Sequence, residues 1–107
     1  MLRNFCQDLL DLEGEPLKDQ QGAAVTLQNA SVNALLGQTQ DENPDGTEKA
    51  KRFVLAMKIH NVKEPVDVTA EEVALIKKLI GKIFTPLVVG RAYELLEQKI
   101  EEVKSAS

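Results

Sequence analysis

Thr69-Ala70-Glu71-Glu72-Val73-Ala74-Leu75-Ile76-Lys77-Lys78-Leu79-Ile80-Gly81-Lys82-Ile83-Phe84 is the stretch whose reading decides the fold class. Its first four residues spell a capping box. In such a box the Thr69 hydroxyl accepts from the Glu72 backbone N–H, and the Glu72 carboxylate accepts from the N–H of Thr69, so two donors that the first helical turn would leave unpaired are satisfied. A helix therefore starts at Ala70. Val73, Ile76, Ile80 and Ile83 form one apolar ridge along it and Leu75 and Leu79 a second, leaving Glu71, Lys77, Lys78 and Lys82 for water. So broad a stripe needs cover on two sides, which the reading assigns to the helix that follows and to the helix containing Phe53.

Downstream, Thr85-Pro86 restarts the chain, since proline suits the first helical position. The last helix is expected to run to about Val103 and to pack antiparallel on the one before it. Gly90 inside it costs about 1 kcal/mol relative to alanine, and close packing of the Ile80 region is the expected reason for it, with a hinge as the alternative. Upstream, Glu64-Pro65 marks residues 61–68 as a connector, because a residue preceding proline is pushed out of helical φ/ψ. Before it, Thr47 is read as the cap of a helix through His60 whose core face is Ala50, Phe53 and Met57, widened by Val54 and Leu55. Thr26 caps a helix from Leu27 to Gly37, with Leu27, Ala30, Ala34 and Leu35 on one stripe and Leu36 beside it.

Residues 1–25 read as strand and turn. Asp8 to Lys18 resembles a hairpin around Glu13-Gly14, with Pro16 at an edge position because it lacks a ladder donor. Asp19-Gln20-Gln21-Gly22 is a second turn, and Ala23-Ala24-Val25 a short third strand. A helix over residues 1–12 is the alternative, because Leu2, Phe5, Leu9 and Leu12 also fall at helical spacing. No internal repeat is read anywhere in the chain. The expected fold is thus α+β and mainly helical: an N-terminal β-hairpin or short meander (1–25) packed on about four helices (26–107), forming a single domain.

A chain of 107 residues holds one core, and folding should bury roughly 65% of the surface of the unfolded chain. Aromatics are confined to Phe5, Phe53, Phe84 and Tyr93, too few to expect stacking platforms for single-stranded nucleic acid. The net charge of −4 is unevenly placed: residues 1–46 carry eight acids against Arg3 and Lys18, whereas residues 47–107 carry eleven bases against nine acids. An acidic first half argues against direct nucleic-acid binding, and the dipolarity suits head-to-tail protein contact. Cys6 is the only cysteine, so no intramolecular disulfide is available and a reducing compartment is expected. With no signal-peptide pattern and no apolar run approaching 18 residues, the expectation is a protein of the cytoplasm with no membrane partner.

The groups that carry chemistry are sparse. Asp41-Glu42-Asn43-Pro44-Asp45-Gly46 starts like a calcium loop, but Arg52 stands where the bidentate glutamate belongs. His60 ends a helix, where its default role is to cap the last carbonyls, and no spacing of His and Cys suits zinc. The glutamate pairs at 71/72, 94/97 and 101/102 are expected on wet helix faces, whereas general acid catalysis would need one of them buried. No enzyme, cofactor or metal site is expected. Two surfaces stand out for protein contact. Tyr93, Leu96, Ile100 and Val103 follow the 3-4-3 spacing of a coiled-coil seam, although Val89, Tyr93 and Leu96 are expected first to pack on the preceding helix, leaving Ile100 and Val103 to project toward a partner. In the N-terminal turn region Asp8, Asp11, Glu13 and Glu15, with Asp19 beyond, present spaced negative charge.

A resemblance adds a setting. Through Glu13-Gly14-Glu15-Pro16-Leu17-Lys18-Asp19, Lys51-Arg52-Phe53, Pro65-Val66-Asp67-Val68-Thr69, Lys77-Lys78-Leu79-Ile80-Gly81-Lys82 and Pro86-Leu87-Val88-Val89-Gly90-Arg91-Ala92-Tyr93, the chain resembles small proteins encoded by tailed bacteriophages and prophages. Similar genes lie among those for virion and tail assembly. The resemblance implies a non-enzymatic morphogenesis protein, a minor virion component or tail-assembly factor, with virion or tail proteins as partners, homo-oligomers as an option, and the host cytoplasm or the virion as its location. The alternative is a small acidic regulator that inhibits a nucleic-acid enzyme by presenting carboxylates as phosphate mimics.

Overall fold

The capping box forms as its residue types require. In a computed structural model that describes residues 2–37, 44–60 and 62–97, Thr69 N–H donates to the Glu72 carboxylate at 2.8 Å and Glu72 N–H to the Thr69 hydroxyl at 3.0 Å. Helix α3 (Ala70–Ile83) runs from that cap. The other helices are α1 (Leu27–Leu36), α2 (Gly46–Ile59) and α4 (Pro86–Glu97), with Thr26 capping α1 and Pro86 at the first position of α4 as expected. The cap of α2 is Asp45 rather than Thr47: its carboxylate accepts from the Glu48 N–H at 2.9 Å. The fold is α+β and mainly helical.

Helix α1, not α3, occupies the middle. It packs on α2, on α3 and on α4, and α4 packs on α3 as well. Ala30, Ser31 and Ala34 are all buried on α1, and such short side chains let neighbouring helix axes approach closely. Cover for α3 therefore comes from α1 and α4, whereas the Phe53 helix, α2, lies against α1. Val73, Ile76, Leu79 and Ile80 are the buried residues of α3, and Ile83, expected in its ridge, is 39% exposed. Leu27, Ile59, Ile76, Ile80 and Leu96 are fully enclosed in one continuous core with Phe5 and Leu9.

The N-terminal region is strand and turn, and the helical alternative over residues 1–12 is not adopted. Strand β1 (Leu2–Arg3) pairs antiparallel with β2 (Val66–Asp67), in register Leu2 to Asp67 and Arg3 to Val66. The segment read only as a connector thus supplies a strand. Residues 8–26 then fold as two successive turns with isolated bridges at Leu10/Pro16, Lys18/Ala24 and Asp8/Thr26. Three backbone bonds close a ring: Leu17 N–H donates to Leu9 O, Val25 N–H to Leu17 O and Leu9 N–H to Val25 O, each at 2.8 Å.

The two turns are one unit used twice, which corrects the reading that the chain has no internal repeat. Asp11-Leu12-Glu13-Gly14-Glu15-Pro16-Leu17-Lys18 and Asp19-Gln20-Gln21-Gly22-Ala23-Ala24-Val25-Thr26 share Asp at the first position, Gly at the fourth and a branched apolar residue at the seventh. Asp11 accepts from the N–H groups of Glu13 and Glu15, and Asp19 from those of Gln21 and Ala23, all at 2.9 Å. Gly14 and Gly22 sit at φ 87° and 85°, a region that costs other L-residues roughly 1–2 kcal/mol. The second, third and fifth positions, Leu12, Glu13 and Glu15 in one turn and Gln20, Gln21 and Ala23 in the other, are exposed and differ in residue type.

Gly90 does not receive the close packing expected of it, since a Cβ there would meet open space. The tight glycine is Gly81, where a Cβ would lie 2.8 Å from the Tyr93 hydroxyl. Among the described residues one buried side-chain polar group lacks a partner: the Ser31 hydroxyl of α1. Ser31→Ala is accordingly expected to leave stability unchanged or raise it by up to about 1 kcal/mol, because it removes an unsatisfied buried group. Ile76→Ala in the same core should cost about 2–5 kcal/mol. Urea midpoints of the two variants check both, and a large loss for Ser31→Ala would show that its hydroxyl is satisfied.

Candidate interaction surfaces

Helix α2 carries two apolar stripes. Arg52, Leu55, Ala56 and Ile59 follow i, i+3, i+4, i+7 and are buried, Arg52 with its guanidinium 3.2 Å from the Glu48 carboxylate. Ala50, Phe53, Val54 and Met57 follow the same spacing two residues out of step, about 200° around the helix, and all four are exposed. Of the face assigned to the core from sequence, only Leu55 is thus buried, and the rest is the outer face. Phe53 is 55% exposed, Val54 64% and Met57 57%. An apolar stripe this continuous on a helix surface marks a contact site more often than chance. Lys49, Lys51 and Lys58 border it, all exposed. Lys58 pairs with Glu72 at 3.2 Å, whereas Lys49 and Lys51 form no ion pair among the described residues.

What fixes the rotation of α2 lies at its C-terminal end. The Gln28 side-chain amide, from the first turn of α1, donates to Ile59 O at 2.8 Å and Val62 O at 3.0 Å. The Ile59 carbonyl thus accepts twice, from Gln28 and from the Val62 N–H at 3.3 Å. The Gln28 bond also holds Leu55, Ala56 and Ile59 against α1. Nothing in the period of the sequence separates the two stripes, and the outer one has the larger apolar side chains.

The seam expected on the last helix is largely spent inside the molecule. Leu96 is fully buried. Tyr93 lies on α3, its hydroxyl donating to Lys77 O at 2.8 Å while the Lys77 ammonium stands 4.9 Å over its ring and also pairs with Glu97. These two residues serve the fold rather than a partner surface. Ile100 and Val103 lie outside the described residues.

The acidic turn region divides as well. Asp8, Glu13 and Glu15 are exposed, but the Asp11 carboxylate is turned onto the backbone N–H groups of its own turn, as is that of Asp19. The first turn is held to the helices by Arg91 of α4, whose Nε donates to Leu10 O at 3.1 Å and whose Nη2 donates to Asp11 O at 2.8 Å. Its tip then presents Leu12, 82% exposed, next to Glu13. Arg3 plays the equivalent part at the other end of α4, donating from a buried position to Leu96 O. Neither arginine is marked by any local motif, because each acts across some 80 or more residues of sequence.

Among the described residues no group of three or more His, Cys, Asp and Glu side chains is placed to hold a metal ion. Asp45, part of the calcium-like segment, is occupied in capping α2, and residues 41–43 of that segment lie outside the described residues. His60 ends α2 as expected, its backbone N–H donating to Ala56 O at 2.8 Å. The Cys6 thiol donates to Val62 O at 2.9 Å. Among the described residues no helix is long and apolar enough to cross a membrane. Compared with protein-family models, with curated proteins and with solved structures, the chain matches none.

Arg91→Ala removes both clamps on the first turn while leaving its internal bonds in place. Amide hydrogen exchange of Glu13, Gly14 and Glu15 should accelerate by about tenfold or more, with amides of α3 unchanged, because a turn freed from its scaffold opens without unfolding the core. Arg91→Lys is expected to fall between, since one ammonium cannot reproduce a planar fork across two carbonyls.

Proposed function

We propose that this protein works by protein contact rather than catalysis, as a morphogenesis protein of a tailed phage or prophage, either a minor virion component or a tail-assembly factor. The observation that carries the contact reading is the outer stripe of α2. A ten-residue α1 is covered by its neighbours, and the core is complete, yet Phe53, Val54 and Met57 remain in water at full helical periodicity. Leaving three large apolar side chains exposed brings no benefit to an isolated molecule, and docking would remove them from water at roughly 25 cal/mol per Å². The phage setting draws its support from the resemblance in sequence, and it names the candidates for partner: virion and tail proteins.

The rival reading, an acidic inhibitor of a nucleic-acid enzyme, has weaker support. Of the five carboxylates it needs, Asp11 and Asp19 are engaged by their own turns, and only Asp8, Glu13 and Glu15 are left to mimic phosphate spacing.

Phe53→Glu/Met57→Glu is expected to change folding stability by no more than about 0.5 kcal/mol per site, because both positions face water. The same double variant should lose a partner that the wild-type protein retains. Affinity purification of tagged protein from cells producing phage particles, with mass spectrometry of the eluate, checks this. Recovery of a virion or tail protein by wild type and not by the variant is the expected result. If neither protein retains any phage product, the assembly reading is abandoned.

A further inference from the structure

Two exposed apolar features of this molecule are complementary to each other. We propose that the outer stripe of α2 receives the Leu12 turn tip of a second copy of this chain, so that copies join head to tail. The proposal rests on the reading that α2's outer face is a contact surface and names its occupant. Leu12 is the most exposed large hydrophobic residue described, at 82%. It stands on a turn that is already ordered, by the Asp11 carboxylate within and by Arg91 beneath. Docking a preordered tip forfeits little conformational freedom.

Charge selects the same pairing. Glu13 and Glu15 flank Leu12 on the tip, and Asp8 is exposed nearby in the same segment, whereas Lys49, Lys51 and Lys58 border the α2 stripe. Bringing tip to stripe sets carboxylates against ammonium groups, including Lys49 and Lys51, which have no ion-pair partner among the described residues. Packing α2 on the α2 of another copy does the reverse. In an antiparallel pair Lys51 of one copy meets Lys58 of the other, and in a parallel pair the Lys51 flank meets the Lys49 flank, so either arrangement sets like charges together.

One copy cannot satisfy both of its own surfaces. The tip is clamped to α4 by Arg91, whereas α2 packs on α1 with its Phe53 stripe exposed to water. The contact is therefore between copies, and it joins two different patches. Such a heterologous contact leaves a free tip at one end and a free stripe at the other, and it grows into a ring or an open filament instead of stopping at two.

Sedimentation velocity over a concentration series provides the test. Wild type should form species beyond the dimer, with association weakened about tenfold or more by high salt, as expected of a contact between exposed charges. A tip variant (Leu12→Ser, Glu13→Lys, Glu15→Lys) and a stripe variant (Phe53→Ser, Met57→Ser) should each be monomeric alone. Mixed, they should form a one-to-one dimer and nothing larger, because each supplies the single surface the other lacks. Charge-only variants, Glu13→Gln/Glu15→Gln and Lys49→Gln/Lys51→Gln, give the same readout if circular dichroism shows the bulkier changes unfolding the chain. A wild type that stays monomeric, a mixture that stays monomeric, or self-association that survives the tip variant each overturns the head-to-tail contact. A monomeric wild type that still captures a phage protein through Phe53 and Met57 leaves the contact function standing without it. Head-to-tail growth with no phage protein captured does the opposite.

Discussion

The start of α1, where Leu27 is enclosed and Gln28 half-buried, is the constraint on which the rest of the structure depends. A helix begins with backbone N–H groups that have no partner within it, and burying them unpaired is costly. Here Leu27 N–H donates to Gln7 O, Gln28 N–H to Phe5 O and Asn29 N–H to the Thr26 hydroxyl. Two of those three acceptors belong to the N-terminal segment. The strand-and-turn region is therefore part of the central helix's hydrogen-bonding complement, and Phe5 and Leu9 enter the core with it. Gln28 extends the arrangement, its side chain tying the end of α2 to the same point.

From that junction the energetics divide by element. Short residues on α1 allow three helices to close around it, and aliphatic side chains of α3 and α4 fill the remaining volume. Long-range arginines then fasten what packing alone does not: Arg3 joins β1 to the last turn of α4, and Arg91 joins α4 to the first turn. In both cases the guanidinium bonds backbone carbonyls, which carry no sequence signature. A repeat of two Asp-x-x-Gly turns builds the protruding end of the molecule without a sheet, closing its backbone through a ring of three hydrogen bonds. The result is a small protein whose described surface includes an apolar turn tip bordered by acids and an apolar helix stripe bordered by lysines.

Much of the helical scaffold was legible in the sequence because its signals are local. A capping box, a threonine cap, a proline at the first helical position and a 3.6-residue period each act within a few residues, and the helices at Leu27, Ala70 and Pro86 begin where those signals stand. The candidate surface was less legible. Tyr93 and Leu96 carry a seam-like spacing, but the same spacing serves a helix packed inside its own fold. The pairing of Leu2–Arg3 with Val66–Asp67 escaped notice because strands of two residues have no measurable period. The octapeptide repeat was hidden for the reason that only its Asp, Gly and apolar positions bear on structure.

By itself the sequence determined where the helices begin, that they are amphipathic, and that the two N-terminal turns need glycine at Gly14 and Gly22. Tertiary structure decided which side of α2 faces inward. Ala50, Phe53, Val54 and Met57 match the helical period as well as Arg52, Leu55, Ala56 and Ile59 do, and they are the more apolar set. Periodicity measures only that a stripe exists. Which stripe is covered depends on α1, the helix on which α2 mainly packs, and on the Gln28 bonds that tie the end of α2 to it.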